Sequence, residues 1–181
     1  MPINIEIKCQ CQDLNKVREI LKKENAEFKG TDHQIDTYFN SKRGRLKLRE
    51  GDMGSILIHY ERENTIGSKE SKFTLYKTEK DSKLKAILKA TLDNKCTIEK
   101  TREIYSIDNV KFHLDTVKDL GTFVEIEASN KDNELTKDKL QEQCNFYIKR
   151  LKINSKDLIA DSYSDMIQRN NLFSQILIDE D

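Results

Sequence analysis

The stretch GTFVEIEAS, residues 121–129, sets Glu125 and Glu127 two positions apart, with Val124, Ile126 and Ala128 interleaved. A strand alternates its side chains, so residues i and i+2 share one face and their neighbours share the other. This strand therefore has an apolar face and a face of carboxylates. The same division recurs along the chain. INIEIK (3–8) sets Ile3, Ile5 and Ile7 against Asn4, Glu6 and Lys8, and GRLKLRE (44–50) sets Leu46 and Leu48 against Arg45, Lys47 and Arg49. IEKTREI (98–104) offers Lys100 and Arg102, while VKFHLDTV (110–117) offers Lys111, His113 and Asp115.

A sheet with one wet face is the commonest origin of such strands. Wet faces, however, mix both signs, whereas Arg45/Lys47/Arg49 and Glu125/Glu127 are each of one sign. Like charges along one strand repel unless opposite charge lies between them. A closed barrel meets that need by turning the charged faces inward and leaving the apolar faces to be covered by helices. Small barrels normally fill their interiors with apolar side chains, so a charged lumen calls for a polyanion and a metal. Arg and Lys supply donors for phosphate oxygens. Clustered Asp and Glu suit a hard divalent cation, Mg²⁺ or Mn²⁺. The pattern describes a site for a metal–triphosphate complex.

The chain has 181 residues, with Lys+Arg and Asp+Glu balanced at 32 each. That balance argues against a general nucleic-acid or membrane-surface binder, which carries a basic excess. Cys9, Cys11, Cys96 and Cys144 form no C-x-x-C spacing and are expected to be free thiols. MPINIEIKCQ has no basic or apolar leader, and no apolar run is long enough to span a bilayer. A soluble, reduced, cytoplasmic protein is the expectation.

Periodicity predicts strands at 3–11, 33–40, 44–50, 55–63, 72–78, 96–107, 110–117 and 122–129. Helices are expected over 13–28, 82–93 and 133–153, with a shorter one around 157–167. Short turns between strands imply an antiparallel α+β architecture. One domain is expected over 1–168, with 169–181 as a tail of no evident role.

The ordered motifs resemble the CYTH superfamily, the triphosphate tunnel metalloenzymes, which includes class IV adenylate cyclases and thiamine triphosphatases. The family opens on Glu-x-Glu-x-Lys, which stands here as Asn4-Ile5-Glu6-Ile7-Lys8. QIDTYFN with GRLKLRE is similar to its second block, IEKTREIY to its Lys-x-Arg block, FHLDTVKDLGTFVEIEAS to its acidic block, and ADSYSDMI to its closing Ser-Tyr motif. The resemblance implies an eight-stranded antiparallel tunnel that grips a triphosphate. It implies that Glu6, Asp115, Glu125 and Glu127 hold the metal, with Glu6 and Asp115 closest to the chemistry. It also implies that Lys8, Arg45, Lys47, Arg49, Arg62, Lys100 and Arg102 bind phosphates. His113 is given no role, since a lone histidine on a strand is more often structural. Family members are often dimeric, so a homodimer is an expectation of the resemblance alone.

One departure stands out. Asn4 replaces the first glutamate and removes a charge from the metal end. Cyclisation of ATP to cyclic AMP and pyrophosphate is the preferred activity. The close alternative is a triphosphatase acting on tripolyphosphate, thiamine triphosphate or a nucleotide. A non-catalytic polyphosphate or nucleotide sensor is the reading that Asn4 favours.

Overall fold

The structure, a computed structural model, describes residues 3–64, 66–67, 69–130 and 135–179. Its strands are β1 Ile3–Gln10, β2 Glu27–Phe39, β3 Arg45–Gly51, β4 Gly54–Arg62, β5 Lys69–Thr78, β6 Asn94–Ile107, β7 Val110–Val117 and β8 Gly121–Ser129. All pairings are antiparallel, and the order β1-β5-β4-β3-β2-β6-β7-β8 closes on itself. The helices are α1 Leu14–Lys23, α2 Leu84–Thr91, α3 Lys137–Arg150 and α4 Tyr163–Asp179, with one 3₁₀ turn at Ser155–Asp157. This is the closed eight-stranded α+β barrel that the alternating faces predict.

The main hydrophobic core lies outside the barrel wall. Ile5, Ile7 and Cys9 of β1 join Phe112 and Leu114 of β7 and Val124, Ile126 and Ala128 of β8. Leu14, Val17 and Leu21 of α1 and Leu140 and Cys144 of α3 cover them. Burial of each large side chain there contributes about 1.5–3 kcal/mol, so the outer face stabilises the fold and the lumen is left for charge. Cys9 and Cys144 are buried, free fillers in this layer.

Besides β5 and β6, which begin at Lys69 and Asn94 rather than at 72 and 96, the elements differ from the sequence expectation in three places. The helix predicted over 13–28 is capped by Asp13, whose side chain accepts from the Lys16 N–H at 3.1 Å, and it ends at Lys23. Asn25 then turns left-handed (φ 57°). From Glu27 the chain pairs with β6, so β2 begins six residues before the predicted start at His33. Gly30, at φ 133°, takes the bulge where that register shifts. Ala26 and Phe28 continue the helical apolar spacing, which masked the strand.

The second difference is at the chain's end. Ser162 Oγ accepts from the Asp165 N–H at 3.2 Å, and Asp165 Oδ2 accepts from the Ser162 N–H at 3.1 Å. This reciprocal cap starts α4 one residue later. The helix then runs unbroken to Asp179, so the predicted short helix and the tail are one element, and the boundary at 168 falls inside it. Third, α2 and α3 are shorter than predicted; Asn133 and Glu134 lie outside the described residues. Among the described residues no helix is long and apolar enough to cross a membrane.

Candidate active site

β3 turns Lys47 and Arg49 into a lumen of about 520 Å³. Opposite Arg49 in the β2–β3 register stands Asp36, which is 1% exposed. Its Oδ2 accepts from Lys47 Nζ at 2.8 Å and from Arg49 Nη2 at 2.8 Å, and its Oδ1 from Arg49 Nε at 2.7 Å. Burial alone would raise this carboxyl's pKa, but the two cations outweigh it and hold it well below the usual range. Burial, with Arg49 adding to it, lowers Lys47 to about 8 against the pull of Asp36.

A second fork stands on β6 and β7. Arg102 grips Asp115 through Nε–Oδ1 and Nη2–Oδ2 bonds of 2.6 Å each. Lys100 Nζ lies 3.6 Å from Asp115 Oδ2, and the Tyr163 hydroxyl donates to that oxygen at 2.8 Å. Asp115 is fully buried, and its ionised form is held by Arg102 and Lys100 despite burial.

The β1–β8 wall carries the acids. The register sets Glu6 against Glu127 and Lys8 against Glu125. Glu125 accepts from Arg102 Nη2 at 3.3 Å, meets His113 Nδ1 at 3.0 Å, and lies 3.6 Å from Lys8 Nζ. Glu6 pairs with Arg62. Among the described residues, Glu127 accepts from a neutral donor, the Asn4 amide, at 2.9 Å. Burial raises its pKa to about 7; Glu125 and Glu6 push the same way, and Lys111 offsets part of the effect. Burial and Arg102 together push His113 down to about 4, so its imidazole is neutral at pH 7. With Nδ1–H given to Glu125, its Nε2 lone pair is left as a ligand.

One donor atom from each of His113, Glu125 and Glu127 falls within 4.8 Å of the others. A carboxyl so reluctant to ionise without a cation, beside a second carboxylate and a neutral imidazole, fits a divalent metal. The two carboxylates suit a hard divalent cation, and the imidazole nitrogen beside them departs from the all-oxygen set that Mg²⁺ takes.

Of the residues singled out by sequence, Glu6, Lys8, Lys47, Arg49, Arg62, Lys100, Arg102, Glu125 and Glu127 all line this cavity. Two do not. Asp115 sits behind Arg102, and Arg45 turns toward α4, where its Nη2 lies 3.0 Å from Asp165 Oδ2 and 2.9 Å from Asn64 Oδ1. Arg62 faces inward with Nε and Nη2 buried and unpaired. One end of the lumen is closed by a buried apolar cluster of Tyr38, Ile98, Val117, Phe123 and Tyr163. Lys8 Nζ sits 3.8 Å from the centre of the Tyr163 ring.

Sequence reasoning missed Asp36, His113 and Tyr163. His113 alternates in phase with Asp115, so the period-2 signal was present there, whereas no other residue of β2 had been singled out to point to Asp36. Tyr163 lies on a helix, where that signal does not apply.

The CYTH domain profile matches residues 2–163. The chain belongs to the CYTH family. A Methanocaldococcus jannaschii protein, named provisionally as an adenylate cyclase, is 30% identical over 174 residues; the match covers 91% of this chain and 98% of that one. Among solved structures, PH1012 from Pyrococcus horikoshii superposes with a TM-score of 0.79 at 20% identity, covering 90% and 98% of the two chains. A Hippeastrum protein, named provisionally as an adenylyl cyclase and described as having a dominant triphosphatase activity, gives 0.65 at 12% identity over 94% and 96%.

Proposed function

We propose that this CYTH protein is a metal-dependent triphosphate enzyme, and that it cyclises ATP to cyclic AMP and pyrophosphate. One observation carries the reading. A single lumen holds a carboxyl that burial keeps reluctant to ionise even with Lys111 opposite it, Glu127, and a buried guanidinium with unused donors, Arg62. Each lacks what a metal–triphosphate complex brings.

Lys8, Lys47, Arg49, Arg62, Lys100 and Arg102 are the phosphate ligands. Glu6, Glu125, Glu127 and His113 hold the metal. When bound, the metal supplies Lewis acidity at the phosphoryl oxygens and acidifies the ribose 3′-hydroxyl. Asp115 acts through Arg102 by fixing the plane of its guanidinium, and Asp36 does the same for Arg49. Arg45 anchors α4 through Asp165 and so keeps Tyr163 over Lys8. The β1 sequence places Glu6 and Asn4 progressively farther than Lys8 from the Tyr163 end. The triphosphate thus enters terminal phosphate first, and its ester phosphorus stops beside the acids. There the 3′-oxygen attacks and pyrophosphate leaves into preset cations, so catalysis is positioning and charge stabilisation. Asn4 donates to Glu127 instead of ligating, which aims that carboxylate at the cation.

Hydrolysis of the triphosphate is the second reading, favoured by the activity described for the Hippeastrum protein. The deciding experiment is ³¹P NMR of purified protein with ATP, and in parallel tripolyphosphate, each with Mg²⁺ or Mn²⁺. Cyclic AMP with pyrophosphate establishes the cyclase. Orthophosphate establishes the triphosphatase and removes the cyclase. Absence of any product in both tubes would sink both readings.

A pH dependence follows from Lys47. A bound polyanion prefers the ammonium form, while the free protein loses that proton near pH 8. Triphosphate affinity is therefore expected to hold level to about pH 8 and then to weaken by up to about tenfold per pH unit. Calorimetry from pH 7 to 9.5 checks this, and a flat profile would remove Lys47 from the phosphate contacts.

A further inference from the structure

The acids of this lumen are unequally free to take a cation. Arg102 occupies both oxygens of Asp115, and the Tyr163 hydroxyl adds to one of them. Arg62 holds Glu6. Asn4 donates to Glu127 and brings no charge of its own. What remains is the pair Glu125 and Glu127, two residues apart on β8. Arg102 and Lys8 compete for the first of these carboxylates, and Lys111 faces the second across the β7–β8 register. Mg²⁺ is held by anionic oxygens in an octahedral shell and gives up its waters reluctantly. Anionic oxygen is in short supply here for such an ion.

His113 supplies a donor of another kind. On β7 it stands opposite Glu125, is only 6% exposed and lines the lumen. Its outward neighbours Phe112 and Leu114 supply the packing of β7 against the outer core, so the inward imidazole is not needed as a filler. Its Nδ1 lies 3.0 Å from Glu125 Oε1. A carboxylate on one ring nitrogen fixes the tautomer and the plane of the ring, and the other nitrogen is then presented as a ligand. Among the described residues, Nε2 has no hydrogen-bond partner. Imidazole nitrogen adds little to the binding of Mg²⁺, and an increasing amount along the series from Mn²⁺ to Co²⁺.

We infer that His113 sets the metal specificity of the tunnel: its Nε2 ligates beside Glu125 and Glu127, and the site takes a divalent transition-metal ion in preference to Mg²⁺. The inference rests on the metal-dependent reading of the tunnel and narrows it from any hard divalent cation to the first-row ions that accept nitrogen.

The test is metal binding without substrate, so the outcome does not depend on which reaction follows. Calorimetry of the wild type with MgCl₂, MnCl₂ and CoCl₂ is expected to give affinities rising in that order. Mn²⁺ should bind about tenfold more tightly than Mg²⁺, the low end of what a contact at a metal site is worth. His113→Asn keeps a donor for Glu125 and removes the ligating nitrogen. It is expected to weaken Mn²⁺ and Co²⁺ by about tenfold or more and to leave Mg²⁺ nearly unchanged.

Cobalt adds a readout that needs no variant to fold. Ligation through Nε2 leaves the Nδ1 proton on the ring, donated to Glu125. Proton NMR of the Co²⁺ form is therefore expected to show one strongly displaced imidazole N–H resonance, slow to exchange because the residue is buried. His33 and His59 do not line the lumen; they are tied to Glu99 and to the Arg43 carbonyl. Equal affinity for Mg²⁺ and Mn²⁺, or Co²⁺ bound with no displaced imidazole proton, overturns the nitrogen ligand and leaves the carboxylate site and the triphosphate reading in place. If none of the three ions binds, with or without tripolyphosphate, the metal-dependent reading falls with it.

Discussion

Glu127→Gln is expected to lower metal-dependent turnover about a thousandfold and, at the same time, to raise the melting temperature of the metal-free protein. The first effect follows from loss of an anionic metal ligand; several kcal/mol of transition-state stabilisation depend on that metal, and ~4 kcal/mol is a thousandfold in rate. The second follows from linkage. In the folded protein Glu127 titrates near 7, above the ordinary glutamate value of 4.5. The folded state therefore holds a proton that the unfolded chain releases between about pH 4.5 and 7. Stability falls as pH rises through that window, and the full cost is present above it. Glutamine keeps an oxygen to accept from Asn4 but has no charge to bury. The variant should gain roughly 5 °C over the wild type at pH 7.5 and nothing at pH 4, where both side chains are neutral. Scanning calorimetry at both pH values decides it. A variant that is less stable at pH 7.5, or fully active, would remove Glu127 from the metal site.

Asp36→Ala is expected to produce the largest loss of stability of any single lumen substitution away from Asp115. Asp36 is the common counter-ion of Lys47 and Arg49, and deleting it leaves two buried cations side by side. Removing one partner of a buried ion pair typically costs about 3–5 kcal/mol, which corresponds to a fall of roughly 2 M in the urea midpoint. The loss should be partly reversed by an anion in the lumen. At a hundred times its dissociation constant a ligand restores about 2.7 kcal/mol. Urea titrations with and without tripolyphosphate test both halves. A midpoint within experimental error of the wild type would show that Lys47 and Arg49 find other partners, and a deficit that tripolyphosphate leaves untouched would place the anion elsewhere.

Much of this architecture was legible because a strand's period is exact in its consequence: one apolar face and one charged face in β1, β3, β6, β7 and β8 specify which side each residue takes. That is why Lys47, Arg49, Arg102 and Glu125 were found. Alternation does not tell which partner stands across the lumen, because that depends on the stagger of strands far apart in sequence. Arg102 was therefore recognised, but its complete capture of Asp115 was not, and Arg45 was placed with the phosphate ligands although its guanidinium turns to Asp165. β4 and β5 were obscure for a different reason. Their inward residues Ile56, Ile58, Phe73 and Leu75 are apolar and their outward ones, among them His59, Glu61, Lys72 and Thr74, are polar, so the alternation runs in the opposite sense to that of the charged strands. The N-terminal half of β2 was hidden by Ala26 and Phe28 at helical spacing. α4 was hidden because its cap, Ser162 with Asp165, lies in a stretch that also supports a shorter helix.

The closed strand order has a consequence for how the protein is made. β1 is hydrogen-bonded on one side to β5 and on the other to β8. β1 precedes both of its partners in the chain and is thus the last strand to be completed, since its second partner begins at residue 121. At about 5–20 residues per second, that wait lasts roughly 6–24 s. During it Ile5, Ile7 and Cys9 lack the β7–β8 surface and α3 that bury them. The lumen charges meanwhile remain hydrated, so their desolvation falls on the closing step. The nascent chain is most vulnerable to edge-to-edge association in this interval, and a chaperone that shields β1 would act on the whole barrel.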